Sequence, residues 1–215
     1  AIGCKCDVSM PFPCALAPVP TPLALPQVFA QPGSPLPVKH LYLDFGATGD
    51  RRDNEGRLWL APTRGKDAGK LLLSYQVEIK SIDGAGHCRR SAVYTPIENT
   101  DTDFVFASAA RGLDTATIPI AEEDKGGGTF NVRLGFSALP GDQPGQRVFD
   151  VKLNGKTVLK DFDIIKESGK ADRALWKEFT MPLKKELTLN MVAKTGSSDL
   201  KQMPLINALQ ILRSE

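Results

Sequence analysis

The sequence predicts an all-β protein: an antiparallel β-sandwich of jelly-roll type, preceded by an extended, Pro-rich N-terminal strap. Three observations lead there. Apolar and polar residues alternate with period two along about ten short stretches, turn residues punctuate those stretches, and no segment carries a helical period for more than a turn or so. The strap follows from composition, because nine of the 16 prolines fall in residues 1–37, where Lys5 and Asp7 are the only charges.

The elements follow in chain order. Residues 1–37 are expected to be extended, since proline fixes φ, restricts the residue before it and removes a ladder donor. Such a segment is expected to lie over something rather than fold alone, so the domain boundary is placed at 37/38, with a sandwich over 38–215. Leu41, Leu43 and Phe45 alternate with Tyr42 and Asp44; Leu73, Tyr75, Val77 and Ile79 alternate with Ser74, Gln76, Glu78 and Lys80. Strands are further expected at 88–95, 104–107 and 115–120. Phe130, Val132, Leu134 and Phe136 then share one face, opposite Asn131, Arg133 and Gly135. Arg147 to Leu153 and Lys156 to Asp163 flank Asn154-Gly155, a strong hairpin signal because a type I′ turn needs φ > 0 at both central residues. A single turn of helix is expected near Lys166 to Ala171, followed by strands at 173–181, 187–191 and 204–212.

Composition excludes several function classes. The 27 Lys+Arg against 25 Asp+Glu in 215 residues argue against a nucleic-acid binder steered by a strong positive field. The apolar run Ala15 to Ala30 is broken by Pro18, Pro20, Pro22 and Pro26, so it is no transmembrane span, and no basic n-region precedes it as in a signal peptide. Ala1 is read as either a processed terminus or the edge of a longer chain.

Catalysis finds little support. His40 and His87 are the only histidines, and neither stands in a zinc-hydrolase or nucleophile-elbow motif. Asp161 and Asp163, at i, i+2, would lie side by side along one strand face rather than flank a bond as paired glycosidase carboxylates do. No cofactor is expected. Cys4, Cys6, Cys14 and Cys88 lack the C-x-x-C spacing of a zinc knuckle. In an exported chain a disulfide is the better expectation, with Cys6 to Cys14 favoured and Cys4 or Cys88 pairing beside it with chain outside this sequence; spacing alone does not decide connectivity. The loop Gly49-Asp50-Arg51-Arg52-Asp53-Asn54-Glu55-Gly56 is rich in oxygen ligands but lacks calcium-loop spacing, and reads as a solvated, internally salt-bridged turn. Gly126-Gly127-Gly128 precedes a strand, so it offers no helix terminus to a phosphate.

Recognition remains. Saccharides are held by flat aromatic faces beside planar polar groups, and the sequence offers Trp59, Trp176, Tyr42, Tyr75 and Tyr94. Tyr75 is assigned to the core, and Trp59, at the end of the charged loop, to a rim.

The run Gly145-Gln146-Arg147-Val148-Phe149-Asp150-Val151-Lys152-Leu153-Asn154-Gly155, followed by Val158-Leu159-Lys160-Asp161-Phe162-Asp163-Ile164, resembles the malectin and malectin-like family. The likeness extends to Phe104–Ser108, to Val132–Phe136, to Asp44-Phe45-Gly46 and to Leu58-Trp59-Leu60, covering roughly residues 38–213. It implies a carbohydrate-binding sandwich of an exported, extracytoplasmic bacterial protein, of the version that follows quinoprotein-type β-propellers in planctomycete-like bacteria. Cys4-Lys5-Cys6-Asp7 and Ala15 to Pro20 resemble the closing segment of such a propeller. Two departures accompany the likeness: Lys166 stands where the animal form has an acid, and Ser137-Ala138 follows Phe136. The expected function is therefore a non-catalytic carbohydrate-binding module acting through Trp59, Tyr94, Asp161 and Asp163. A structural domain that packs on a partner within a larger assembly is the alternative.

Overall fold

The structure, a computed structural model, describes residues 36–62, 77–122, 127–194 and 199–214. Among the described residues, twelve strands form two sheets. The first contains β1 (His40–Asp44), β2 (Arg51–Arg52), β3 (Leu58–Leu60), β6 (Gly128–Phe136), β9 (Leu175–Leu183) and β12 (Ala208–Arg213), in the order β2-β3-β1-β12-β6-β9. The second contains β4 (Glu78–Arg89), β5 (Ser108–Pro119), β7 (Val148–Leu153), β8 (Lys156–Asp163), β10 (Glu186–Ala193) and β11 (Leu205–Ile206). There the order is β11-β5-β10-β7-β8, with β4 on β5 as well. Strand pairing is antiparallel except between β1 and β3. The predicted all-β sandwich is thus the observed architecture. Residues 1–35 of the expected strap, Leu73 and Tyr75 of the expected second strand, and the cysteines Cys4, Cys6 and Cys14 lie outside the described residues. Cys88, on β4, carries a free thiol.

Period two translates directly into facing. Phe130, Val132, Leu134 and Phe136 of β6 and Phe149, Val151 and Leu153 of β7 are all fully buried between the sheets. Phe136, Phe149 and Phe162 pack as a triad with ring centroids 4.9, 5.5 and 6.3 Å apart, Phe149 meeting Phe162 edge-on. Such tilted contacts add to area burial because ring edges and faces carry opposite partial charge. The β7–β8 hairpin turns at Asn154 (φ 47°) and Gly155 (φ 78°), the left-handed pair a type I′ turn demands.

Four local expectations are corrected. The single strand expected at 204–212 is two, β11 in the second sheet and β12 in the first, parted at the buried Asn207. Residues 103–106 form the one-turn helix α1 (Asp103–Phe106) instead of a strand at 104–107. A four-residue apolar run fits either state, and here its buried Val105 and Phe106 close over the outer face of the first sheet. The strand expected at 88–95 ends at Arg89, because the N–H groups of Tyr94 and Thr95 both turn back to the carbonyl of Ser91. Asp161 and Asp163 do not share a face. Phe149 pairs with Phe162 but Val151 with Leu159, so β8 carries one extra residue, and Asp161 takes φ 51° at that bulge. A bulge breaks the alternation, which leaves the Asp161 side chain 58% exposed and Asp163 buried.

The helix expected near 166–171 is α2 (Ile164–Ser168). Asp163 is its N-cap: Oδ1 accepts from the N–H groups of Ile165 (3.0 Å) and Lys166 (3.3 Å), while Oδ2 accepts from that of Gly145 (2.5 Å). The second acid of the D-x-D-I pattern therefore satisfies the otherwise orphaned donors of a helix start. Arg147 in the preceding block is 4% exposed. It forms a bidentate pair with Asp142 at 3.1 and 3.2 Å and donates to the carbonyls of Leu200 and Met203. Those bonds tie the start of β7 to the segment before β11.

Candidate functional site

The two sheets meet at one end through polar contacts. Asp44, the last residue of β1, is buried, and its Oδ1 accepts from the backbone of Gly46 and Ala47 and from the Ser108 hydroxyl, each at 3.0 Å. Ser108 opens β5, so this single oxygen joins the first sheet to the second. The approach leaves no room at Gly46, where a Cβ would stand 2.2 Å from the Ala109 nitrogen. Asn207, fully buried between β11 and β12, completes the junction. Its carboxamide accepts from the Ser137 N–H at 2.7 Å and donates to the carbonyls of Phe106 (3.1 Å) and Ser108 (2.7 Å). A buried polar network of this kind specifies one geometry only when every member is satisfied.

The loop between β1 and β3 is organised by Asp53. Its carboxylate accepts from the backbone of Glu55 (3.0 Å) and Arg57 (2.9 Å), from the Arg57 guanidinium (2.6 Å) and from the Trp59 indole (2.9 Å). Burial disfavours its charged form, but those hydrogen bonds and the Arg57 charge outweigh burial and hold the carboxyl below the usual range. The turn is salt-bridged, but through Arg57, just beyond the 49–56 loop, rather than by Arg51 and Arg52 within it, and the Asp53 side chain is buried rather than solvated. Among the described residues no group of three or more His, Cys, Asp or Glu side chains could hold a metal ion.

Above this junction opens a cavity of about 820 Å³ between the 44–54 loop, the end of β4 with residues 90–93, and the 100–108 segment around α1. Its floor holds Asp44 and Ser108. Burial pushes the Asp44 carboxyl up to about 7, against the opposing pull of the Ser108, Gly46 and Ala47 hydrogen bonds and the Arg89 charge. The walls carry hydroxyls of Thr48, Ser91 and Thr100 and guanidinium groups of Arg51, Arg52 and Arg89. Arg51 lies 4.2 Å over the Phe104 ring. Tyr94, which follows the lining residue Val93 in the chain, is 89% exposed but does not itself line the cavity.

The four side chains expected to act together are not brought together. Trp59 is completely buried rather than at a rim. It packs with Tyr42, Phe106 and Trp176 on the outer face of the first sheet, and backs the cavity from inside. The alternation in Leu58-Trp59-Leu60 correctly sets Trp59 opposite its neighbours; a distant segment, residues 97–106, then covers that face. Tyr94 is exposed and follows the lining residue Val93, without lining the cavity itself. Asp161 and Asp163 sit on β8, separated from β5 by β10 and β7, roughly 14 Å at one strand spacing per step. Asp161 there shares Lys194 with Asp150, at 2.9 and 2.8 Å. Asp163 is used as the cap described above.

The sequence reading missed the floor and most of the walls. Asn207 and the Asp44–Ser108 bond carry no local signal, because these partners lie more than sixty residues apart in the chain. The Arg51-Arg52 and Arg89-Arg90 pairs were visible, but only the fold sets them around one opening.

Several known proteins resemble this chain. Residues 65–207 match the Malectin domain family. The ANXUR1 extracellular domain from Arabidopsis thaliana superposes with a TM-score of 0.62 at 20% identity, covering 81% of this chain and 48% of that one. The ANXUR2 extracellular domain from the same plant gives 0.61 at 18% identity, with the same coverage. A Bacteroides uniformis beta-glucuronidase gives 0.60 at 17% identity, over 82% of this chain and 18% of the enzyme. The chain thus spans half or less of the length of each. No curated protein matches the sequence.

Proposed function

This chain belongs to the malectin domain family, and from that premise we propose that it is a non-catalytic carbohydrate-binding module whose saccharide occupies the cavity over Asp44. One observation carries the reading: an open cavity of about 820 Å³ with hydroxyl- and guanidinium-bearing residues on its walls; the 89% exposed Tyr94 follows the lining residue Val93. Sugar hydroxyls need planar and hydroxylic partners, and the apolar face of a pyranose needs a flat ring to stack on. Tyr94 is proposed as that ring. The junction beneath supports the reading because Asp44, Ser108 and Asn207 hold the floor rigidly, and a preformed site loses less entropy on binding.

The setting is proposed to be extracytoplasmic, as part of a larger exported bacterial protein in which a β-propeller precedes the sandwich, on the strength of the sequence likeness in residues 1–37. A Cys6–Cys14 disulfide is proposed with it. The beta-glucuronidase neighbour does not move the reading toward catalysis, since the match covers 18% of that enzyme. Asp161 and Asp163 are moreover committed to an ion pair and a helix cap.

The test is calorimetric titration of the intact chain with a panel of neutral and acidic disaccharides, beside Tyr94→Ala. Millimolar or tighter binding that weakens at least tenfold in the variant is the expected result. Saturable binding untouched by Tyr94→Ala would move the site elsewhere, and silence across the panel would end the reading.

A further inference from the structure

The cavity's donors are unequally matched by acceptors. Four arginines line it, Arg51, Arg52, Arg89 and Arg90, along with the carboxyl groups of Asp44, Asp53, Asp101 and Asp103. On paper these cancel, but their pairings do not. Asp53 is held by Arg57 and Trp59, and Asp101 also faces Arg57, at 4.0 Å, so a fifth arginine from outside the cavity answers both. Asp44 is buried in hydrogen bonds to Gly46, Ala47 and Ser108. Arg90 is answered by Asp172 at 2.8 Å, from outside the lining.

What remains is Arg51, Arg52 and Arg89 against Asp103, with the Arg89 charge also felt by the buried Asp44 carboxyl. None of these three arginines has a carboxylate within ion-pair distance among the described residues. A guanidinium has five N–H donors in a fixed fork. Arg52 spends one on the Gly56 carbonyl (2.7 Å) and Arg89 one on that of Gly46 (3.1 Å). Among the described residues the Arg51 guanidinium has no hydrogen-bond acceptor, and it lies 4.2 Å over the Phe104 ring, a contact that leaves N–H donors for a ligand. Planar donors held this way suit a planar or tetrahedral oxyanion engaged by paired hydrogen bonds.

We infer that the cavity selects an acidic saccharide, one whose ring carries a carboxylate or a sulfate that Arg51, Arg52 and Arg89 receive. The inference rests on the saccharide reading above and adds the ligand's charge. Ring and charge have separate receivers here: Tyr94, next to Val93 in the chain, takes the sugar face, and the three arginines take the anion. Neutral disaccharides would use the first set alone.

The experiment compares four probes by calorimetry on the full chain at moderate salt: a glucuronic-acid-containing disaccharide, its methyl ester, a sulfated disaccharide and inorganic sulfate. The expected result is that both acidic disaccharides bind at least tenfold tighter than the ester, and that their advantage shrinks as salt rises. Arg51→Met/Arg52→Met should bring the ratio of acid to ester near one. Both residues are exposed, so an unchanged melting midpoint is the control for folding. Equal binding of acid and ester would overturn this inference while leaving the saccharide reading in place. If inorganic sulfate binds as tightly as the acidic disaccharides, the site is a simple anion site and both fall. If no probe binds, the saccharide reading fails first and takes this one with it.

Discussion

The middle of the sandwich and its cavity end are held together by different physics. Between the sheets, Phe136, Phe149 and Phe162 pack among aliphatic side chains, and stability there scales with apolar area removed from water. At the cavity end, Asp44, Asn207 and Asp53 hold loops and strand ends through hydrogen bonds that gain little individually but cost heavily when one partner is lost. The first region tolerates any residue of the right size and polarity. The second tolerates little change, because each side-chain oxygen or amide answers particular backbone groups. A binding module needs both: a core that fixes the sheets, and a junction stiff enough to hold an open cavity against collapse.

The contrast can be broken most forcefully in the core. Phe149→Ala removes a ring from the triad and should cost about 3–5 kcal/mol, read as a lower urea midpoint with an unchanged m-value. A cost below about 1 kcal/mol would mean the triad does not carry the core. At the junction, Asn207→Leu keeps the volume but orphans the Ser137 N–H and the carbonyls of Phe106 and Ser108. With those groups buried, about 3 kcal/mol should be lost even though the new side chain is more apolar.

The two regions also part in their response to pH. The Asp44 carboxyl titrates at about 7 in the folded chain, raised from 3.8. A raised acid binds its proton more tightly when folded, so its contribution is fully present below the unfolded value and is lost as pH rises toward about 7. Between pH 5 and pH 8 the chain should lose about 2–3 kcal/mol on this account, and Asp44→Asn should flatten that slope while Phe149→Ala leaves it intact. A wild-type midpoint that does not fall over this window would show the Asp44 site to be better solvated than its burial implies. The smallest structural effect is expected from Tyr94→Ala, which should change stability by less than about 0.5 kcal/mol, because the ring is exposed, while abolishing most saccharide affinity.

Much of the architecture was legible from the chain. Period two placed β1, β6 and β10, and Asn154-Gly155 marked the β7–β8 hairpin, because alternation and turn chemistry act between neighbours in sequence. The same local logic faltered where local signals are ambiguous. Phe104 to Ala107 reads equally as strand or helix, and the bulge at Asp161 cannot be foreseen from alternation that it interrupts.

The candidate site was far less legible. Leu58-Trp59-Leu60 shows which face Trp59 takes, yet only the placement of residues 97–106 shows that this face is covered. Asp163 looked like an exposed partner of Asp161 until the fold set it over the N–H groups of Ile165 and Gly145. Arg51 and Arg89 are far apart in the chain, and only the pairing of β1, β3, β4 and β5 sets them around one opening. The sequence by itself determined the sandwich, its hairpin and its apolar faces, since these follow from residue-by-residue patterning. Tertiary structure alone decided which side chains are covered and which converge on a cavity, because those depend on contacts between segments that share no local signal.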